Sequence, residues 1–590
     1  MGQDGRRCST FHPLLRRFSR QTDLRGACAS AKVPLITSVS SLRDLAMRIQ
    51  LSILLSLAAI PVPSRATNPN PIVAVTGGKI RGSLLEPSGA AFKGIPYARP
   101  PIGEFRWREP APVENWTGVR DVTSGGPPCA QNPYFVHDAK EVSKEDCLYL
   151  NVWTPTWPSR SPHKAVMVWI PGGGNFGGAW DSRASGPRGT GPARIGAQAV
   201  PVAQESFRYD GVDLQVMKLV QHDVILVTLN YRLGLFGFFS HPELTAESVH
   251  HASGNQGILD QIAALRWVRD NISTFGGDPG NVTIFGESAG SFDVSVLMTS
   301  PLSRGLFRRA IAQSGAVVLV GDPLSLPAAE KRGVSLVTAS GAGSMSLREL
   351  RMLPADLILA KEPNFLQKPP QNLGLTVDGY AFPERPADVF ASGREHRVDM
   401  LLGNVAHEWV PGSRPPLDWK TAIEDTYPAD IAKAAVQLYQ GGGTDSVYGG
   451  PAEQWVEDVS FRCPAVAQLM WHSAAGNRAF EYEFTRIPAG RKSMGNMHAE
   501  DVPYVFGPVT GERFDATDYA ISDAMQQYWT NFAKTGSPNG KGKLPEWARF
   551  DPSSRRYIEI SAQGPILREA LRRPFCDLLI ESLKKTGTIK

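Results

Sequence analysis

The chain has only six cysteines in 590 residues, none of them in a C-x-x-C pair, and it contains no H-E-x-x-H. The common signatures of zinc and of dithiol redox chemistry are therefore missing, and no metal or other cofactor is expected. Internal repeats and low-complexity tracts are missing too. The apolar run 51–60 is about ten residues, too short to span a bilayer as a stable helix, so no stable membrane anchor is expected. A charge excess of one sign is confined to one end. Residues 1–66 hold ten Lys and Arg against three acids, a net +7, whereas residues 67–590 hold 52 basic and 54 acidic side chains, a net −2. The overall +5 therefore gives no support to a nucleic-acid partner. At 42% hydrophobic and 20% charged, the remainder reads as an ordinary globular chain. Its length would allow several domains. Strand and helix patterns alternate from about residue 73 with no long polar linker, however, so 67–590 reads as one large domain with insertions.

The basic end carries an address. Met47-Arg48-Ile49-Gln50 precedes the apolar run, and Pro61 to Ala66 closes with Ser64-Arg65-Ala66, a small-x-small pattern. A positive start, a short apolar core and such an ending make a secretory signal over 47–66, with cleavage after Ala66. Either Met47 is then the true start or residues 1–46 are a dispensable extension, and the product reads as secreted or periplasmic. The competing reading is a hydrophobic strand near the start of a cytoplasmic protein.

The most informative stretch is Val282-Thr283-Ile284-Phe285-Gly286-Glu287-Ser288-Ala289-Gly290. Residues of high strand propensity run into G-x-S-x-G, and the segment 289–298 is helix-compatible. A strand that turns this sharply into a helix exposes one serine hydroxyl above the sheet, and glycines flank it because a Cβ would collide in so tight a turn. A serine hydroxyl is a poor nucleophile near neutral pH. It needs an imidazole to take its proton and a carboxylate to orient that imidazole, in the chain order serine, acid, histidine.

Four histidines follow Ser288: His396, His407, His472 and His498. His472 falls in an apparent amphipathic helix over 465–475, as a packed or surface residue. His396 lies in the charged run 394–397 and reads as solvated, while His407 directly precedes the best acid and is badly placed to pair with it. His498 follows the glycine-containing loop 494–497, which can deliver a ring to a sheet edge, and it is the expected base. Glu408 is the expected acid because it follows the apolar run 398–405, a buried strand, and catalytic groups on open α/β sheets gather at strand carboxyl ends. Asp378 is the alternative, although Asp378-Gly379 is explained by a turn.

A further strand, 165–170, enters Pro171-Gly172-Gly173-Gly174-Asn175-Phe176-Gly177-Gly178. Consecutive glycines let bare amides approach a substrate oxygen, and each fixed donor of this kind is worth about 3–4 kcal/mol. The amides of Gly173, Gly174 and Ala289 are the expected oxyanion hole. A phosphate cradle is disfavoured, since no Lys-Ser or Lys-Thr follows the glycines. Within 255–272, Ile258, Ile262, Leu265, Val268 and Ile272 share one helix face and should lie against the sheet.

With these residues in place, the chain resembles the type-B carboxylesterase/lipase family, which includes bacterial para-nitrobenzyl esterases and the cholinesterases. The likeness runs from about Phe92 to Leu583. It is carried by Phe92-Lys93-Gly94-Ile95-Pro96-Tyr97-Ala98, Glu145-Asp146-Cys147-Leu148-Tyr149-Leu150-Asn151-Val152-Trp153, Asn230-Tyr231-Arg232-Leu233-Gly234, Gly254-Asn255-Gln256-Gly257, the run 275–290 and Pro503-Tyr504-Val505-Phe506-Gly507. The resemblance implies an α/β-hydrolase fold, with a large, mostly parallel central sheet, helices on both faces and long insertions. It implies a serine esterase acting on small to medium or bulky organic esters through an acyl-enzyme. Its triad falls on Ser288, Glu408 and His498 and its oxyanion hole on Gly173, Gly174 and Ala289, in agreement with the reading of the residues. It adds Ser314 as a supporting serine, and bridges Cys129 to Cys147 and Cys463 to Cys576, the latter as in the cholinesterase branch.

Three departures stand out. Pro171 replaces the usual histidine or tyrosine before the glycines. Trp409 follows the acid where relatives often have a small residue. A Gly-, Pro-, Ala- and Arg-rich segment, 181–204, makes the stretch after Gly178 much longer than in many relatives and reads as a loop over the site mouth. Phe176, Trp180, Phe292 and Trp409 are candidates for an apolar substrate pocket or, equally, for core. Glu287 reads as a structural, hydrogen-bonded neighbour of the nucleophile. A lipase, thioesterase or amidase would use the same residues, and some family members are non-catalytic binding proteins. Oligomeric state is not legible.

Overall fold

Strand-forming runs that are apolar at every position must be covered on both faces, and Lys164–Ile170 shows how this happens. Val166, Val168 and Ile170 point into one apolar cluster, while Ala165, Met167 and Trp169 point into another. The same alternation holds in Val224–Leu229, where Ile225, Val227 and Leu229 face one way and Val224 and Leu226 the other. The computed structural model describes residues 70–132, 143–159, 163–179, 193–195, 198–200, 212–318, 323–339, 341–343, 345–362, 374–408, 418–489, 496–507 and 514–587. All lie in one compact unit, Asn70–Lys590. The 47–66 signal and the 1–46 extension lie outside the described residues.

Eleven strands form the main sheet: β1 (Ser83–Leu85), β2 (Gly89–Pro96), β3 (Tyr149–Thr154), β4 (Lys164–Ile170), β5 (Val224–Leu229), β6 (Gly277–Glu287), β7 (Arg309–Gln313), β8 (Asp399–Val405), β9 (Ala479–Phe484), β10 (Arg556–Ser561) and β11 (Gly564–Glu569). Their order is β11-β10-β9-β8-β7-β6-β4-β5-β3-β2-β1. The pairings from β10 through β5 are parallel, and those at the two flanks are antiparallel. This is the α/β-hydrolase architecture expected from the resemblance, with the parallel character confined to the middle.

Helices supply the crossovers: α1 (Val212–Val220), α2 (Gln256–Asn271), α3 (Ala289–Leu297), α4 (Cys463–Ala474), α5 (Val502–Phe506) and α6 (Ala516–Thr535). The stripe Ile258, Ile262, Leu265, Val268 and Ile272 is buried as its spacing predicts. On the opposite face, α6 packs Ile521, Met525, Trp529 and Phe532. Arg232 and Asp260 form a buried two-pronged ion pair at 2.7 Å on each prong, tying the loop after β5 to α2.

Both bridges implied by the resemblance are formed, with Cα separations of 4.9 Å for Cys129–Cys147 and 4.7 Å for Cys463–Cys576. The second joins α4 to the terminal helix α7 (Arg573–Lys585). At one sheet edge β11 is laced to β10 by Arg556–Glu569 at 3.1 Å and Arg568–Glu559 at 2.8 Å. At the other, β1 is three residues long. The segment 181–204, read as a loop, contains a two-stranded antiparallel hairpin, Ala193–Ile195 with Gln198–Val200. Its Gly- and Pro-rich flanks hid two short pairing segments with little propensity signal.

Leu265→Ala, which removes a fully buried side chain from the α2 stripe, is expected to cost about 2–5 kcal/mol in urea unfolding.

Candidate active site

The turn at Ser288 sets the site. β6 ends at Glu287 and α3 starts at Ala289, leaving Ser288 between them at φ 58°, ψ −124°. A non-glycine residue held there costs about 1–3 kcal/mol, so its surroundings must enforce it. They do so from both sides: Ser288 N donates to Gln313 O at 2.9 Å, and Phe292 N donates to Ser288 O at 3.0 Å. The flanking glycines answer to crowding. A Cβ on Gly290 would lie 2.1 Å from Ile170 O, and one on Gly286 2.7 Å from the same oxygen. Strand β4 therefore passes too close to the turn for any larger residue.

Glu408 lies three residues beyond β8, buried, where Val405 N and Asn404 Nδ2 donate to its Oε1 at 3.1 and 3.3 Å. Its other oxygen, Oε2, accepts from His498 Nδ1 at 2.5 Å. His498 comes from the segment between β9 and α5, and the Phe461 ring stands 5.2 Å from the imidazole. The ring's second nitrogen, Nε2, is 3.1 Å from Glu287 Oε1, the residue before the serine. Among the described residues no hydrogen bond joins Ser288 to His498. Glu287 was expected to be hydrogen-bonded, yet its Oε1 is buried without a hydrogen-bond partner and meets the imidazole only as an ionic contact.

These groups perturb one another. Burial pushes the Glu287 carboxyl up to about 8, against the pull of His498 and with the push of Asp501 and Glu408. Burial alone would push the His498 imidazole down, but Glu287 and Glu408, with the Glu408 hydrogen bond, hold it up at about 9. Burial also raises Asp501, whose Oδ2 accepts from Tyr482 at 2.6 Å and Gln313 at 2.9 Å.

The glycine loop after β4 runs beside the turn. A Cβ on Gly172 would lie 2.4 Å from Glu287 O, and Gly173 and Gly174 have φ of 115° and 66°. The loop closes on itself through Phe176 N and Gly177 N, which donate to Gly173 O at 3.1 and 3.0 Å. Gln131 clamps its end, accepting from Gly178 N at 2.9 Å and donating to Gly178 O at 2.8 Å. Among the described residues the amides of Gly173, Gly174 and Ala289 donate to no protein acceptor.

Sequence reasoning missed the layer behind this loop. Asp293 on α3, Asn175 on the loop, Gln261 on α2 and Tyr231 form a buried polar cluster. Burial pushes the Asp293 carboxyl up to about 7, against hydrogen bonds from Asn175, Gln261 and Tyr231. The signal was present: Asp293 is the one charged residue in the α3 sequence AGSFDVSVL.

The remaining candidates fall as follows. Ser314, at φ 57°, follows β7, and its buried Oγ has no hydrogen-bond partner among the described residues. Phe176 is buried in the glycine loop and Phe292 within the main apolar cluster. Trp180 and Trp409 lie outside the described residues. His396, read as solvated, is buried, and burial together with Arg304 pushes it down to about 4. The charged run misled because its members diverge: Arg394 turns out to Glu384, while Glu395 turns in to His472 Nδ1 at 2.9 Å. His407 pairs with Glu457 rather than Glu408. Asp378 makes a turn, its Oδ1 accepting from Tyr380 N at 3.0 Å and Phe382 N at 2.9 Å. Among the described residues no group of three or more His, Cys, Asp or Glu could hold a metal, and no helix is long and apolar enough to cross a membrane.

Comparison with known proteins follows the same lines. The family model described as the carboxylesterase family matches residues 69–188 and 202–579. Liver carboxylesterase 1F of Rattus norvegicus is 33% identical over 567 residues, covering 86% of this chain and 93% of the relative. A medium-chain fatty acyl-CoA hydrolase precursor of Anas platyrhynchos is 33% identical over 524 residues, covering 82% of this chain and 87% of the relative. A solved PNB esterase superposes with a TM-score of 0.70 at 30% identity, over 86% of this chain and 99% of its own.

Gly290→Ala must move either α3 or β4, because the new Cβ would lie 2.1 Å from Ile170 O. It is expected to lower kcat/KM on para-nitrophenyl acetate by about 100-fold, the scale of a 1 Å misplacement at a reacting centre. The measurement is steady-state kinetics on protein whose far-UV circular dichroism is unchanged.

Proposed function

The chain belongs to the carboxylesterase family and is a serine carboxylic-ester hydrolase, and from that premise we propose that Ser288, His498 and Glu408 are its catalytic triad. The observation that carries the reading is the 2.5 Å hydrogen bond from His498 Nδ1 to Glu408, on an imidazole that reaches the residue adjoining Ser288. Glu408 fixes the tautomer in which Nε2 is free to accept a proton. Nε2 has only to swing from Glu287 to the neighbouring serine, and catalytic hydrogen bonds of this kind commonly tighten only when substrate is bound.

In this mechanism Ser288 Oγ attacks the ester carbonyl carbon while its proton passes to His498 Nε2. The carbonyl electrons move onto oxygen, where the amides of Gly173, Gly174 and Ala289 stabilise the negative charge. Collapse of the tetrahedral adduct breaks the bond to the alcohol oxygen, which takes the proton from His498. Water, deprotonated by the same imidazole, attacks the acyl-enzyme, and the acid leaves as Ser288 recovers its proton. Glu287, pushed up to about 8 by burial, is largely protonated at neutral pH, so it competes weakly for the imidazole. Ser314 and Glu287 are supporting residues.

The substrates we propose are small to medium or bulky organic esters. A thioester reading has one point in its favour, the name of the Anas platyrhynchos relative. Comparing para-nitrophenyl acetate, an emulsified triglyceride, an acyl thioester and an anilide separates the rivals, and highest kcat/KM on the soluble ester is expected. The two disulfides suit an oxidising compartment. We extend this to export through the 47–66 signal, which N-terminal sequencing of the exported product tests.

Ser288→Ala is expected to lower kcat by several orders of magnitude; retained turnover would overturn the triad. The reactive form needs a neutral imidazole, and the facing carboxylates favour its protonated form. Activity should therefore rise with pH through an imidazole pKa held above its ordinary value. Near the imidazole's midpoint of about 9 the Glu287 carboxyl, raised to about 8, has lost its proton, so Glu287→Gln removes one of those anions and the midpoint of the kcat/KM profile should move to lower pH.

A further inference from the structure

We propose that Asp293 is a positioning residue for the oxyanion hole, holding the glycine loop against the nucleophile-bearing helix through Asn175. The inference rests on the triad and hole proposed above and concerns how the hole keeps its shape.

Gly173, Gly174 and Asn175 are successive residues with positive φ, at 115°, 66° and 62°. Such a run has little conformational preference of its own, and Asn175 carries a Cβ, so the loop must be fixed from outside. Asn175 is where that happens. Its main-chain oxygen accepts from Gly234 N at 2.7 Å, and its Oδ1 accepts from the Tyr231 hydroxyl at 2.8 Å. Tyr231 is also 2.9 Å from Pro171 O, the residue that opens the loop. Asn175 Nδ2 donates to Asp293 Oδ1 at 3.1 Å, while Asp293 Oδ2 accepts from Gln261 Nε2 at 2.6 Å.

The chemistry at 293 is specific. Two amide NH2 groups converge on it from different elements, so the side chain between them must accept on both sides. A carboxylate has two accepting oxygens, whereas an asparagine would turn its own NH2 toward one donor. Asp293 and Asn175 are almost fully buried, at 0% and 1% exposure, so water cannot replace a missing partner. Asp293 shares α3 with Ala289, and Asn175 adjoins Gly174. The pair thus links the two backbone segments whose amides would have to converge on one oxygen.

The test uses the whole enzyme with para-nitrophenyl acetate as substrate and a trifluoromethyl ketone as the probe that leaves an oxyanion in the hole. Asp293→Asn and Asn175→Asp are each expected to lower kcat about tenfold, less than removal of a donor outright. KM should change less than twofold, and ketone affinity should fall in step with kcat. The exchanged pair, Asp293→Asn with Asn175→Asp, restores the donor–acceptor matches named above. The amide then at position 293 would donate to the carboxylate at position 175 and accept from Gln261, while Tyr231 would donate to that same carboxylate. The double variant should recover kcat to within about threefold, since coupled neighbours are non-additive. Asn175→Gly suits the positive φ and removes the link to Asp293 together with the Tyr231 hydrogen bond, so it should show the same kcat loss if the 293 variants fail to fold. Unchanged kcat in Asn175→Gly, or a loss confined to melting temperature or KM, would overturn the positioning role. Ser288→Ala separates the two layers: full activity in that variant removes the underlying site, whereas a dead Ser288→Ala beside a fully active Asn175→Gly removes only this inference.

Discussion

The left-handed turn at Ser288, wedged against the last carbonyl of β4, is the constraint from which the rest of the site follows. Gly286 pairs with Ile170 across the sheet, so β4 and β6 leave it side by side. The chain continuing from one becomes the glycine loop, and from the other the serine turn. Register extends the pattern: Gln313 pairs with Gly403, and Gly403 with Tyr482. Five consecutive parallel strands therefore end along one line, and each delivers one component. The glycine loop follows β4, Ser288 follows β6, Ser314 follows β7, Glu408 follows β8, and the His498 segment follows β9.

One imidazole among three buried carboxylates is the second organising fact. Glu408, Glu287 and Asp501 all act on His498, but their surroundings divide the labour. Glu408 receives its main-chain and Asn404 hydrogen bonds on one oxygen and the imidazole on the other. Asp501 is absorbed by Tyr482 and Gln313. Glu287 has neither kind of support at Oε1. A buried carboxylate without donors prefers its neutral form, so the group beside Ser288 is the one that yields its charge. Placement of hydrogen-bond donors, more than the presence of carboxylates, separates the proposed orienting acid, Glu408, from its neighbours.

Much of this was legible in the chain because it rests on local rules. The strand-turn-helix around Ser288, the β4 run into glycines and the α2 stripe are each written within a dozen residues or so. The pairing of Glu408 with His498 was reachable because chain order and loop chemistry leave few competitors. What sequence reasoning lost depends on long-range approach. His396 packs beside Phe307 and is pushed down by the charge of Arg304, both distant in the chain, and local charge density pointed the other way. The Asp293–Asn175 contact spans 118 positions, and neither residue belongs to a motif that would suggest the other. The hairpin in 181–204 pairs two three-residue segments, too short for periodicity to register.

The borders of the main sheet have a bearing on how this chain behaves in bulk. On one side β11 is committed to β10 by opposite charges, with Pro565 in the edge strand itself; on the other, β1 offers only three residues. Neither rim presents a long, uncharged row of backbone groups to which an incoming chain could add by strand pairing. The long apolar strands that would nucleate fibrous assembly lie in the interior of the sheet. Concentration alone should not recruit them; cooperative loss of the helical layers would have to come first.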